Sequence, residues 1–135
     1  MRVIVDTSIW SLALRRRGNV QYPEVEFLRS LIENGEDIFL IGVILQEILQ
    51  GIKMSQDFEK LKEYLEPFPL LEISRADYIY AAQLKNQVSQ KGIQIGTIDA
   101  LIATASIMND CYLFTSDKDF YYMEKHTKLQ LLKKQ

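Results

Sequence analysis

Arg2-Val3-Ile4-Val5-Asp6-Thr7-Ser8 is the stretch on which the reading of the fold turns. Val3, Ile4 and Val5 are consecutive β-branched apolar residues. A run without polar alternation reads as a strand buried on both faces, as in a parallel sheet. It gives way at once to an acid and two hydroxyls. In open α/β sheets ligands bind outside the carboxyl ends of the strands, so Asp6 stands where chemistry is expected.

The remaining chain fits that start. The 135 residues suit one domain, expected to span 1–135. Apolar residues make up 47% and charged residues 25%, the balance of an ordinary globular protein. No apolar run approaches the roughly 18 residues of a membrane span, and no signal-peptide pattern opens the sequence. Cys111 is the sole cysteine, which excludes an internal disulfide and a thiolate metal cluster. A cytoplasmic setting is expected. The net charge of −2 excludes a globally basic nucleic-acid binder, so such contacts would rest on local patches or bound cations.

Strand and helix patterns alternate along the sequence. Ile9 to Leu14 is a short apolar helix followed by Arg15, Arg16 and Arg17. The arginines read either as a solvated helix end or as a phosphate-binding patch. Pro23 opens an amphipathic helix that Asn34-Gly35 closes. Asp37 to Ile41 is a second strand, and Gly42 turns the chain into a helix from Val43 to Gln50. Glu47 lies on the second turn of that helix. By spacing alone it is an ordinary solvated glutamate. Asp57 to Leu65 is a further helix, Leu70 to Ile73 a short strand, and Ser74 with Asp77 forms a capping box for the helix that Gly92 ends. Thr97 is expected to cap a helix running to Asn109, with Asp99 in its first turn, where the free amides favour an anion. Cys111 to Thr115 is a strand running into Ser116-Asp117-Lys118-Asp119-Phe120. A short aromatic helix and an edge strand over Leu129 to Leu132 complete the chain.

This alternation predicts an α/β fold: a three-layer sandwich with a mainly parallel central sheet flanked by helices. Asp6, Asp99 and Asp117 with Asp119 then fall at strand ends or a helix start, and Glu47 follows another strand end. Clustered carboxylates repel and call for a cation. A site of oxygens alone suits Mg²⁺ or Mn²⁺. Phosphodiester hydrolysis by an activated water is the natural chemistry of such an ion. A Ser-His-Asp triad is disfavoured, because His126, the only histidine, is far from any serine elbow. No glycine-rich phosphate loop is present.

Four motifs in series carry a family resemblance: Val3 to Trp10, Glu47 in Leu-Gln-Glu-Ile-Leu-Gln-Gly, Asp99 to Ala103, and Leu113 to Phe120. Together they resemble the PIN-domain ribonucleases, and among these the VapC toxins of toxin–antitoxin pairs. The likeness covers essentially the whole chain. It implies that Asp6, Glu47, Asp99 and Asp117 are the catalytic acids that bind Mg²⁺ or Mn²⁺, and that Thr7, Thr115 and Asp119 support them. It also implies an RNA substrate, homodimerisation and a small cognate antitoxin. An RNA-processing nuclease without an antitoxin is an alternative, as is a non-catalytic module whose acids merely cap helices. A receiver domain would need an acid pair after the first strand, and a haloacid-dehalogenase-type phosphatase a second Asp where this chain has Ser8.

Overall fold

The computed structural model describes residues 1–14 and 21–133. Its elements run β1 (Arg2–Val5), α1 (Thr7–Leu14), α2 (Pro23–Glu33), β2 (Asp37–Ile41), α3 (Gly42–Leu49), α4 (Ser55–Leu65), β3 (Leu70–Leu71), α5 (Arg75–Gln90), α6 (Thr97–Met108), β4 (Tyr112–Phe114) and α7 (Lys118–His126). The strands form one parallel sheet in the order β3-β2-β1-β4, flanked by the helices. This is the expected sandwich. Val3, Ile4 and Val5 are fully buried at its centre, in one continuous apolar core that runs through to Leu131. Among the described residues no helix is long and apolar enough to cross a membrane.

Register decides where the acids go. Val5 pairs with Phe114 and Ile4 with Phe39, so β1, β2 and β4 reach their carboxyl ends at nearly one level. The Asp6 N–H then donates to the Phe114 carbonyl at 2.9 Å, extending the β1–β4 ladder by one bond before the chain turns. Helix ends are closed locally. Gly35 takes a φ of +73° just past α2, where its N–H reaches Ile32 O and the Glu36 N–H reaches Leu31 O. That is a Schellman closure, which needs a left-handed residue. Asp110 does the same after α6 at a φ of +52°, with the Cys111 N–H on Ser106 O, and so launches β4. Aspartate is among the few non-glycine residues that accept this conformation.

The Ser74–Asp77 capping box is present at the start of α5. Other expectations are corrected. Gly96, not Thr97, is the N-cap residue of α6; Thr97 is already helical and makes no cap hydrogen bond. Residues 129–132 form a single parallel bridge, Leu113↔Leu131, rather than a strand. The bridge is made by the Leu113 N–H on Gln130 O and the Leu132 N–H on Leu113 O, while the Leu131 N–H, on the far side, is taken by Glu124 Oε2 at 2.9 Å. The final helix is longer than expected because Phe120 and Met123, a turn apart, both bury against the core. Arg15, Arg16 and Arg17 lie outside the described residues.

Ile4 is the central residue of the central strand, so truncating it leaves a cavity that the flanking strands cannot fill. Ile4→Ala should lower the unfolding free energy by about 3 kcal/mol, read as a fall in the urea midpoint with an unchanged slope. A loss under about 1 kcal/mol would contradict the placement of the core.

Candidate metal centre

Asp6 is where β1 becomes α1. Its carbonyl accepts the Ile9 and Trp10 N–H groups, so it is also the residue from which α1 starts. Its side chain is only 5% exposed, which makes its polar partners decisive. One oxygen, Oδ2, takes three donors: Ser8 Oγ at 2.8 Å, Thr115 Oγ1 at 2.8 Å and the Ser8 N–H at 3.4 Å. Among the described residues, no donor reaches Oδ1.

Two hydroxyls bind the strand ends together. Each has one proton and two lone pairs. With both protons given to Asp6, the lone pairs serve the next turn: Thr115 Oγ1 accepts the Asp117 N–H at 3.0 Å, and Ser8 Oγ accepts the Ser116 N–H at 3.1 Å. Asp117 in turn caps α7, its Oδ1 accepting the Asp119 N–H at 3.0 Å. A chain of short bonds thus fixes Asp6, Asp117 and the backbone of Asp119 relative to one another. Glu47 joins from α3, its Oε1 accepting from Thr7 Oγ1 at 2.9 Å.

Asp99 arrives from the opposite side, in the first turn of α6. Oxygens of Asp99, Asp117 and Asp119 lie within 4.8 Å of one another. Burial, then the charges of Asp117, Asp6, Asp119 and Glu47, push the Asp99 carboxyl up to about 6. Every charge acting on it there is another carboxylate. Such a knot of like charge is relieved by a cation, and its donors are all oxygens, so a hard ion such as Mg²⁺ or Mn²⁺ fits. With Asp6 Oδ1 and Asp99 both lacking a donor among the described residues, the cluster has coordination to offer.

All four sequence-predicted acids act on this locus, but at different range. Asp99 and Asp117 form the tight group with Asp119, which had been expected to play only a supporting part. Asp6 is coupled through Thr115, and Glu47 sits outermost, through Thr7. Ser8, to which the sequence assigns no role in the site, donates both its N–H and its hydroxyl to Asp6. The available signal was a hydroxyl two residues after an acid at a helix start, the spacing of a local cap.

Together, the parallel sheet, its level strand ends and the oxygen-only acid cluster define an α/β protein with a centre suited to a divalent cation. The PIN domain family model matches residues 3–126, and the chain belongs to that family. It is 27% identical over 125 residues to Ribonuclease VapC2 of Rickettsia felis, covering 89% of this chain and 90% of that protein. Its fold is similar to that in the crystal structure of VapBC2 from Rickettsia felis bound to a promoter DNA fragment, with a TM-score of 0.78, 23% identity and 98% of each chain covered. It is also similar to FitAcB from Neisseria gonorrhoeae, with a TM-score of 0.76, 22% identity and coverage of 97% and 96%.

Because the folded chain holds a proton on Asp99 more tightly than the unfolded chain does, cation-free stability should fall as pH rises from about 4 to about 6 and then level off, so far as this group is concerned. Asp99→Asn removes the repulsion. It should raise the cation-free melting temperature by about 3 °C at pH 7.5, the charge being half-exposed and partly screened. The gain should vanish near pH 4, and the variant should lose most of its stabilisation by Mn²⁺. A wild-type chain that is insensitive to Mn²⁺ would show that the acids hold no cation.

Proposed function

We propose that residues 1–135 act as one domain with the activity of a Mg²⁺- or Mn²⁺-dependent endoribonuclease, the toxin of a type II toxin–antitoxin pair. The observation that carries it is the Asp99–Asp117–Asp119 cluster closed by Asp6. Membership of the PIN family and similarity to a protein named a ribonuclease support the reaction class.

In this reading Asp6, Asp99 and Asp117 supply ligand oxygens, with Asp119 beside them and Glu47 completing the acid set. Ser8 and Thr115 hold the Asp6 carboxylate in one orientation, so that Oδ1 need not reorganise when it is used. Thr7 holds Glu47, the outermost acid, as the group that takes the proton released when water attacks phosphorus. The water oxygen forms the new P–O bond, the P–O bond to the leaving ribose oxygen breaks, and that oxygen takes a proton from solvent. The cation, when bound, lowers the pKa of water and offsets phosphate charge. Arg15, Arg16 and Arg17 are assigned to the RNA backbone on their charge alone.

An antitoxin partner is supported by a groove of about 940 Å³ away from the acids, between α1, α2 and α4. Trp10, Leu14, Ile52, Met54 and Tyr64 line it, and Met54 and Tyr64 are 67% and 53% exposed. Exposed apolar surface of this extent marks an interaction site. A toxin–antitoxin complex from Klebsiella pneumoniae has a similar fold, and the same kind of partner is proposed here. Homodimerisation belongs to the same proposal, supported by the exposed Tyr78 and Ile79 on α5. The setting is cytoplasmic, where RNA is met.

Purified protein should cut RNA with Mg²⁺ or Mn²⁺ and stop with a chelator, and Asp6→Asn or Asp99→Asn should reduce the rate by about 10²-fold or more. Expression should arrest growth, with relief by the product of a neighbouring small gene. Cleavage that survives both substitutions would overturn the assignment of the acids. Cleavage without growth arrest would favour an RNA-processing role.

Ser8→Ala removes one of the two hydroxyl protons on Asp6 while leaving every acid in place. We expect kcat to fall about tenfold with little change in KM, since orientation rather than binding is lost. An unchanged kcat would show that Thr115 alone suffices.

A further inference from the structure

A second cavity, of about 320 Å³, opens beside the acid cluster and shares a wall with it. Thr115 and Ser116 form that wall. The floor is apolar, from Phe114 and Leu132, and the rim carries Tyr121, Lys133 and Glu24. Thr115 is bonded to Asp6, and the acid cluster gives no account of the other lining residues.

We infer that this cavity binds one unpaired nucleotide of the RNA substrate, next to the phosphate that lies at the acids; the inference rests on the nuclease reading and names a subsite for it. The volume lies at the small end of ligand sites and suits a single base with its sugar. Tyr121, on α7 and 42% exposed, offers an aromatic face of the kind on which unpaired bases stack. The Lys133 ammonium stands 5.6 Å from the centroid of the same ring. Its ion pair with Glu124 Oε1, at 2.9 Å, is exposed on the lysine side. Such pairs contribute little, so the ammonium can turn to a backbone phosphate at small cost. The Ser116 hydroxyl makes no hydrogen bond among the described residues, although its N–H is held by Ser8.

The placement has a consequence for register along the RNA. Thr115 Oγ1 is bonded to Asp6 while Thr115 also lines the cavity, so a base held against Tyr121 fixes the next phosphate at the acid cluster. Recognition and cleavage are thereby separated by about one nucleotide. An unpaired loop would enter where a duplex, with its bases stacked inside, would not.

The test is fluorescence anisotropy with a labelled, unstructured RNA seven-mer in the Asp99→Asn background with Mg²⁺, alongside steady-state cleavage by the otherwise wild-type chain. Tyr121→Ala should weaken binding about tenfold, within the range for loss of one stacked base. Tyr121→Phe should restore it. Lys133→Ala should weaken it by a smaller factor and flatten the salt dependence by about one phosphate contact. Tyr122→Ala, at the neighbouring exposed position outside the cavity, should bind as the parent does. In cleavage, Tyr121→Ala should raise KM and leave kcat within about twofold. Cleavage that depends on Asp99 but whose KM ignores Tyr121 would overturn the subsite and leave the nuclease reading intact. RNA held through Tyr121 without any cleavage by the wild-type chain would sink the nuclease reading and keep the subsite. No binding of RNA would remove both.

Discussion

The parallel register of β1 against β4 is the constraint from which the candidate site follows. Val5 stands opposite Phe114, so the residues one step further, Asp6 and Thr115, leave the sheet side by side. The Thr115 hydroxyl can then donate to Asp6 and accept from the backbone of Asp117, at 2.8 and 3.0 Å. A slip of one residue would send these side chains to opposite faces. The three buried β-branched residues of β1 are bounded by Arg2 and Asp6, so a shift would carry a charged side chain into the core in place of an apolar one. The apolar core therefore sets the geometry of the most polar part of the molecule.

Electrostatics work against this arrangement. Burial first, and then the charges of Asp117, Asp6, Asp119 and Glu47, push the Asp99 carboxyl up to about 6. Ordinary folding would separate such groups. Here they are held by bonds that cannot relax independently: helix starts at Asp6, Asp117 and Asp99, and the hydroxyls of Thr7, Ser8 and Thr115. The unfavourable charge is concentrated on the carboxylates at the strand ends, a pattern of functional sites more than of groups selected for stability.

Much of this was legible in the residues. Val3 to Val5 announced a buried parallel strand, Pro23 and Gly35 bounded α2 to within a residue or two, and Asp6, Asp99 and Asp117 fell at strand ends and a helix start. Local rules decide such features, and local sequence carries them. The misses share one cause. Glu47 looked like a solvated glutamate because its partner, Thr7, lies 40 residues away in sequence. Asp119 joined the tight acid group because α7 begins one residue after Asp117, a matter of how β4 meets the helix. Residues 129–132 have the composition of a strand, but only Leu131 bridges to β4, and Glu124 takes the N–H on its far side. Thr97 is a good capping residue that loses the position to Gly96. In each case residue type left two outcomes open, and a specific contact, long-range for Glu47 and short-range for the others, decided between them.

The central claim is that the acids at the carboxyl edge of the sheet hold a divalent cation. The most direct measurement is anomalous diffraction from crystals of the protein soaked in Mn²⁺. The result expected is a peak bounded by Asp99, Asp117 and Asp6 Oδ1, with Mn–O distances slightly above 2 Å. A map without a peak there at saturating Mn²⁺, or with the ion bound only elsewhere, would contradict the claim.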